Sequence, residues 1–285
     1  MNEQLRARRH AFMFFTKAPT PGVTKTRLTS ARGGFLTPEE AADLYRAVML
    51  DVAEIGHAAL EQLNAAAKDK GDTYDFIVCT TPASDTDRLR RIFEEAFPWP
   101  IQYIQYITDH GRNFNEHFDD GFKQLWKLGY HSAVSIGGDL PSMPVSHIVR
   151  AFQWLAYFDS AYETGGIVFC PCQACGVSLV GLTAKTPMDF DGVFYNPDGT
   201  PALDAITALS EKRGIPAAAL DPVSDIDNAE DLAHALSLAR SHAYVSRFQP
   251  EVMFPKRFLE WADTTGIVVN TPPNAEHDPR EAIDA

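Results

Sequence analysis

The feature that most constrains this chain is an alternation of short, mostly apolar runs with longer stretches whose apolar residues recur at helical spacing. Residues 11–16, 76–79, 101–107, 132–136, 167–170, 177–182 and 217–220 read as strands. A helix opens at Thr37, others cover 85–97, 114–128, 144–157, 201–212 and 228–243, and residues 251–262 suggest one more. Strands that are apolar along most of their length are covered on both faces. Alternated with helices, they predict an α/β fold, a mostly parallel central sheet between two helical layers.

Local signals agree with this pattern. Thr37 is placed to cap a helix, with Pro38 at its first position, Glu40 at capping-box spacing, and Leu44, Val48 and Val52 as its apolar stripe. Asn228 is placed to cap another, with Glu230 and Asp231 suited to its first turn. Residues 1–245 are expected to form one domain. Residues 246–285 are expected to carry a C-terminal helix and then, from Asn270, a disordered tail rich in proline and charge.

A chain of 285 residues that is 45% hydrophobic can bury a full core. No apolar run approaches the ~20 residues that cross a bilayer, and Thr16-Lys17 follows the first run where a leader would place small residues. The expected location is the cytoplasm, with no membrane partner. A net charge of -13 argues against nucleic acid as partner, because phosphate neutralisation needs a basic surface. The first 34 residues run against that balance: Arg6, Arg8, Arg9, Lys17, Lys25, Arg27 and Arg32 are opposed only by Glu3. Such a local patch suits a small anionic ligand, although Arg6 to Arg9 read equally well as a solvated tail.

Three segments can carry chemistry. The first is the loop from Lys17 to Leu28, where Pro19 and Pro21 end the strand, Gly22 permits close backbone approach, and Lys17, Lys25 and Arg27 offer charge to phosphate oxygens. It is not a Walker loop, because Val23-Thr24 separate Gly22 from Lys25. The bland alternative is an exposed basic loop. The second is Gly137-Gly138-Asp139-Leu140-Pro141, where a carboxylate at the carboxyl end of a strand can hold Mg²⁺ or can simply turn the chain. The third is Asp225-Ile226-Asp227-Asn228, in which Asp227 can close a metal site or serve as a turn residue before the helix.

Taken in order, Lys17 to Leu28, Gly137 to Pro141 and Asp225 to Leu232 resemble a bacterial family of nucleotide-diphospho-sugar transferases with the GT-A (Rossmann-like) fold. That family is known mainly as glycosyltransferases, some tied to arsenosugar biosynthesis, and is similar to molybdenum-cofactor and 2-phospholactate guanylyltransferases. A weaker segment, His110-Gly111-Arg112-Asn113-Phe114-Asn115-Glu116, resembles the family's turn before the helix that precedes the metal strand. The resemblance implies a metal-dependent transferase using Mg²⁺ or Mn²⁺, with Asp139 and Asp227 as metal ligands and Asp139, Lys25 and Arg27 at the reacting phosphates. It further implies nucleotide and phosphate contacts at Thr16, Lys17, Ala18, Gly22, Lys25, Arg27 and Gly138. The partners would be a nucleotide-sugar or NTP and a small-molecule acceptor, with a homodimer as one option for assembly. Glycosyl transfer is the first reading and nucleotidyl transfer, releasing pyrophosphate, the second. A catalytically inactive nucleotide-binding protein is the third.

One departure bears on the acceptor. Where the family places an acidic residue and a glycine, this chain has Ala174 and Cys175, within Cys170-Pro171-Cys172-Gln173-Ala174-Cys175-Gly176. The cysteines can be small buried hydrophobes or, joined by Cys79 or a histidine, thiolate ligands of a zinc or iron–sulfur site.

Overall fold

The computed structural model describes residues 7–99 and 104–270. The tail from 271 onward, Arg6 and residues 101–103 of the third expected strand lie outside the described residues.

Seven strands form one sheet in the order β3-β2-β1-β4-β6-β5-β7. They are β1 Arg9–Phe15, β2 Thr73–Cys79, β3 Ile104–Ile107, β4 Ser132–Gly137, β5 Ile167–Pro171, β6 Val177–Thr183 and β7 Ala217–Ala219. All neighbours pair in parallel except β6, which is antiparallel to both β4 and β5. The short Cys172–Gly176 link after β5 leaves no room for a crossover, so β6 must run backwards. The helices are α1 Pro38–Ala67, α2 Thr86–Ala96, α3 Phe114–Lys127, α4 Val145–Ala161, α5 Ala202–Arg213, α6 Ala229–Val245 and α7 Lys256–Thr265. This is the three-layer α/β/α GT-A arrangement expected from the sequence.

Alternate residues of each strand feed two cores. Phe12, Phe14, Phe76, Val78, Val134 and Ile136 pack with α1, α2, α4, α6 and α7. Ala11, Met13, Ile77, Cys79 and Ala133 pack with α3 and α5 on the other face. The period of two along each strand produces this division. The first helix starts as expected, with Thr37 Oγ1 accepting from the Glu40 amide at 3.1 Å and Glu40 Oε2 from the Thr37 amide at 2.8 Å.

Three readings need correcting. Strand β1 starts at Arg9, and neither Arg8 nor Arg9 belongs to a free tail: Arg8 pairs with Asp159 at 2.6 Å and Arg9 with Asp75 at 2.8 Å. Helix α4 runs on to Ala161, because buried Phe158 continues its apolar stripe. The last helix begins at Lys256, after Pro255, rather than near residue 251. Its N-terminus is capped from another element: Asp51 of α1 accepts from the amides of Arg257 at 3.2 Å and Phe258 at 2.9 Å. Among the described residues, no helix is long and apolar enough to cross a membrane.

Candidate functional site

Strands β1 and β4 lie side by side, with Phe15 opposite Gly137, so the segments that follow them emerge together at the carboxyl edge. Strand order reverses at this pair: β2 continues from one side of β1, whereas β4 lies on the other. Open α/β sheets bind ligands at such a point. The third segment is tied to the second by the Ile226 amide, which donates to the Asp139 carbonyl at 3.2 Å. All three segments singled out in the sequence therefore meet.

Their centre is Lys25. Its Nζ donates to Asp139 Oδ2 at 2.7 Å, lies 3.4 Å from Asp227 Oδ1, and donates to the Ile226 carbonyl. The side chain is 8% exposed. Burial pulls Lys25 toward the neutral amine, but Asp139 and then Asp227 outweigh it and hold the pKa above the ordinary lysine value. Arg27 Nη1 donates to Asp227 Oδ2 at 2.7 Å from a more exposed position. Three hard oxygens thus converge on one cation position, filled here by an ammonium. Such donors suit Mg²⁺ or Mn²⁺, and the set fits the metal that the resemblance implies. Among the described residues, no group of three or more His, Cys, Asp or Glu side chains is arranged to hold a metal, so the protein offers two carboxylates and a carbonyl.

The remaining residues of the basic loop shape it. Thr16 is buried with its Oγ1 2.8 Å from Tyr45 Oη, and Ala18 is buried beside it. Lys17 folds over its own loop, its Nζ 3.3 Å from the Val23 carbonyl. Its pKa is lowered by desolvation and then by the nearby Lys25 charge. Gly22 has φ 74° with open space where a Cβ would stand. Arg88 of α2, not anticipated from the sequence, pins the loop from outside through Thr20 Oγ1 at 2.8 Å and the Pro19 carbonyl. Gly138 is sterically required: a Cβ there would meet Thr16 Oγ1 at 2.9 Å, Tyr45 Oη at 3.0 Å and Met49 Cγ at 3.2 Å. Tyr45, whose phenol is pushed up to about 12 by burial and then by Asp139, is a second residue the sequence did not reveal. Asp227 is anchored from below, where Asp231 Oδ2 accepts from the amides of Asp227 and Asn228 at 3.0 Å each.

On the β5–β6 side, the hairpin turn reaches the same centre. Gln173 Oε1 accepts from the Asp225 amide at 3.2 Å, and Gln173 Nε2 donates to the Asp225 carbonyl at 2.8 Å and to its carboxylate. The Asp225 carboxyl is raised to about 7 by burial and then by Asp139 and Asp227. Cys172 Sγ stands 4.0 Å from Asp225 Oδ2, and burial followed by that charge pushes its thiol up to about 12. Cys170 is buried with Sγ 3.0 Å from the Asp221 carbonyl, Cys175 is exposed, and Cys79 belongs to the opposite core. The sheet therefore keeps Cys79 from joining the other three, and among the described residues no histidine or carboxylate joins these cysteines in a group of three or more.

Tyr195 completes the rim. It is 76% exposed, and its phenol pKa is raised by partial desolvation and then by Asp227. Its ring lies 5.4 Å from that of Phe114. Asn115 clamps the preceding residue, accepting from the Phe194 amide at 2.8 Å and donating to its carbonyl at 2.9 Å. Among the described residues, the non-glycine positions with positive φ are Lys25, Ala174, Cys175 and Tyr195. Lys25 is the centre of this site, Tyr195 stands on its rim, and Ala174 and Cys175 form the turn next to Gln173; left-handed backbone outside glycine tends to collect where function holds it in place. A separate groove of about 570 Å³ between the basic loop, α1 and α2 is lined by Arg46, Arg88, Arg91, Glu39, Asp43 and Glu95. Neither Lys25 nor Asp139 lines it, and its charges offset one another.

The fold and the meeting of these segments define an α/β protein whose cationic and carboxylate groups gather at the switch point of a mostly parallel sheet. Residues 60–197 match the model of a family described as an uncharacterized protein conserved in bacteria, DUF2064. No curated protein matches the chain. Among solved structures, it is similar to a protein from Desulfovibrio desulfuricans G20, provisionally named a nucleotide-diphospho-sugar transferase. That match has TM-score 0.66 and 20% identity, and covers 90% of this chain and 95% of that one. More distant are a cytidylyltransferase from Leptospira borgpetersenii serovar Hardjo-bovis (strain JB197), at TM-score 0.48, 12% identity and coverage of 95% and 100%, and 4-diphosphocytidyl-2C-methyl-D-erythritolsynthase from Anaerococcus prevotii DSM 20548, at TM-score 0.49, 10% identity and coverage of 84% and 100%.

Proposed function

We propose that the protein is a divalent-cation-dependent transferase that binds a nucleotide-diphospho-sugar at the carboxyl edge of β1 and β4 and passes the sugar to a small acceptor. The observation that carries this reading is the contact of Lys25 with both Asp139 and Asp227, which sets cationic and anionic groups around one point. A phosphate chain needs cations, and a cation needs carboxylates; this edge supplies both.

In this reading Asp139 and Asp227 hold Mg²⁺ or Mn²⁺, which when bound offsets charge on the departing diphosphate. Lys25 and Arg27 neutralise phosphate oxygens, while Thr16, Lys17, Ala18, Gly22 and Gly138 shape the loop around the nucleotide. Tyr195, Gln173 and Asp225 face the acceptor. A second reading, nucleotidyl transfer with release of pyrophosphate, draws on the same Lys25 and Arg27. Cationic side chains placed beside a leaving pyrophosphate stabilise charge with no covalent step by the protein.

A thermal-shift screen of nucleotides and nucleotide-sugars, with and without Mn²⁺, tests the proposal, since a ligand of the folded state raises apparent stability. Metal-dependent stabilisation by one class of nucleotide is expected. Failure of every nucleotide and nucleotide-sugar to shift the transition would end both readings, whereas pyrophosphate release from an NTP would favour the second.

A further inference from the structure

The oxygens that fit a divalent cation are the ones Lys25 already uses. Asp139 Oδ2, Asp227 Oδ1 and the Ile226 carbonyl surround its Nζ, and an ammonium has three protons to give. Ile226 has no side-chain role here; its carbonyl is the third wall of the cradle. Lys25 reaches this position from a left-handed backbone, φ 48° and ψ 38°, so the loop bears a conformational cost to hold it there. A metal on these oxygens would stand where Nζ stands, and two cations cannot share one set of lone pairs.

We propose that Lys25 is the resident cation of this cradle, and that a divalent cation enters only as Lys25 leaves, drawn onto the phosphate chain of the substrate. This rests on the proposed use of the site for metal and phosphate. It adds that metal and Lys25 compete while metal and phosphate cooperate. In the absence of phosphate the protein is then a poor metal binder. A phosphate chain raises metal affinity by giving Lys25 another partner, and by reciprocity metal raises affinity for the phosphate chain by the same factor.

The test is Mn²⁺ binding to the full chain, followed by the loss of the free-ion EPR signal. Lys25→Met keeps the length of the side chain and removes the charge. It is expected to bind Mn²⁺ about tenfold or more tightly than the wild type without any phosphate ligand, a factor in the range of ordinary coupling between sites. Lys25→Arg, which keeps a cation, should show no such gain, and Lys25→Met combined with Asp139→Asn should lose it. Equal or weaker Mn²⁺ binding by Lys25→Met would overturn the competition, even if the wild type binds Mn²⁺ well and the proposed function stands. No Mn²⁺ binding by wild type or variant, with pyrophosphate present or absent, would overturn the competition and the metal-dependent function together.

Should Lys25→Met fail to fold, the wild type carries the test. Saturating Mn²⁺ in the absence of any phosphate should displace Lys25 with nothing else to hold it, and raise its acetylation by acetic anhydride several-fold, measured by peptide mass spectrometry. Unchanged protection of Lys25 under saturating Mn²⁺ alone would refute the exchange.

Discussion

The Ile226 amide donates to the carbonyl of Asp139 across 3.2 Å, joining two segments far apart in sequence at the point where both approach Lys25. This bond places the Asp225-Ile226-Asp227 segment beside the end of β4, so that both aspartates address one lysine.

Removing Asp139 affects both folding and the site. Asp139→Ala leaves Lys25, 8% exposed, with Asp227 at 3.4 Å as its remaining carboxylate partner. A loss on the order of 3 kcal/mol is expected, because a buried charge without its partner is costly. Denaturant unfolding measures it. Transferase activity should fall to background, and full activity in this variant would contradict the proposed role of Asp139.

Gly138→Ala tests the packing beneath the aspartate. The new Cβ would lie 3.0 Å from Tyr45 Oη and 2.9 Å from Thr16 Oγ1. Overpacking of this kind costs roughly 1–3 kcal/mol. Adding Tyr45→Phe removes one of the crowded atoms, so the double variant should recover part of the loss. Strict additivity of the two changes in a thermal-unfolding cycle would show that the crowding lies elsewhere.

Asp51 predicts a pH dependence of stability. Its carboxyl is raised to about 6 by burial, despite the bonds from Phe258 and Arg257 that favour its charge. The folded state therefore holds this proton more tightly than the unfolded chain. The associated stability is fully present below about pH 4 and is lost as pH rises through about 6. His10, a buried imidazole lowered to about 4 by desolvation, acts in the opposite sense, losing stability as pH falls below its unfolded value. The difference in melting temperature between wild type and Asp51→Asn isolates the first effect. Relative to the variant, the wild type should lose on the order of 2–3 kcal/mol between pH 4 and 7. A flat difference would contradict it.

Tyr195 is expected to matter for acceptor binding. Tyr195→Ala should raise the acceptor KM roughly threefold to tenfold, the worth of one aromatic contact, with little change in kcat or melting temperature. Tyr195→Phe should behave as wild type. Asn115→Ala, which releases the Phe194 backbone, should reproduce the KM effect. An unchanged KM in all three would remove Tyr195 from the site.

Much of this was legible in the sequence because it is written locally. Apolar strand runs, the Thr37 and Asn228 caps and the three loop segments all depend on neighbours in the chain. What was hidden depends on partners far away. Tyr45 sits one position from the apolar stripe of α1 and reads as core until Thr16 appears beside its hydroxyl. Gln173 and Asp225 recognise each other across 52 positions, and Asn115 clamps Phe194 across 79. No periodicity records such pairs. Arg8 and Arg9 misled for a related reason: a run of basic residues looks solvated until Asp159 and Asp75 are seen to face it.

The hairpin between β5 and β6 also bears on how the protein can be altered. The Gly176 amide donates to the Gln173 carbonyl at 3.2 Å around Ala174 and Cys175, both left-handed, which is the mirror-image turn that asparagine followed by glycine adopts most easily. An Ala174→Asn, Cys175→Gly pair should relax that turn and make the molecule sturdier by about 1 kcal/mol. The natural sequence forgoes that gain. A library restricted to these two positions, scored for both stability and nucleotide binding, separates what the turn needs from what the side chains of residues 174 and 175 contribute to the site.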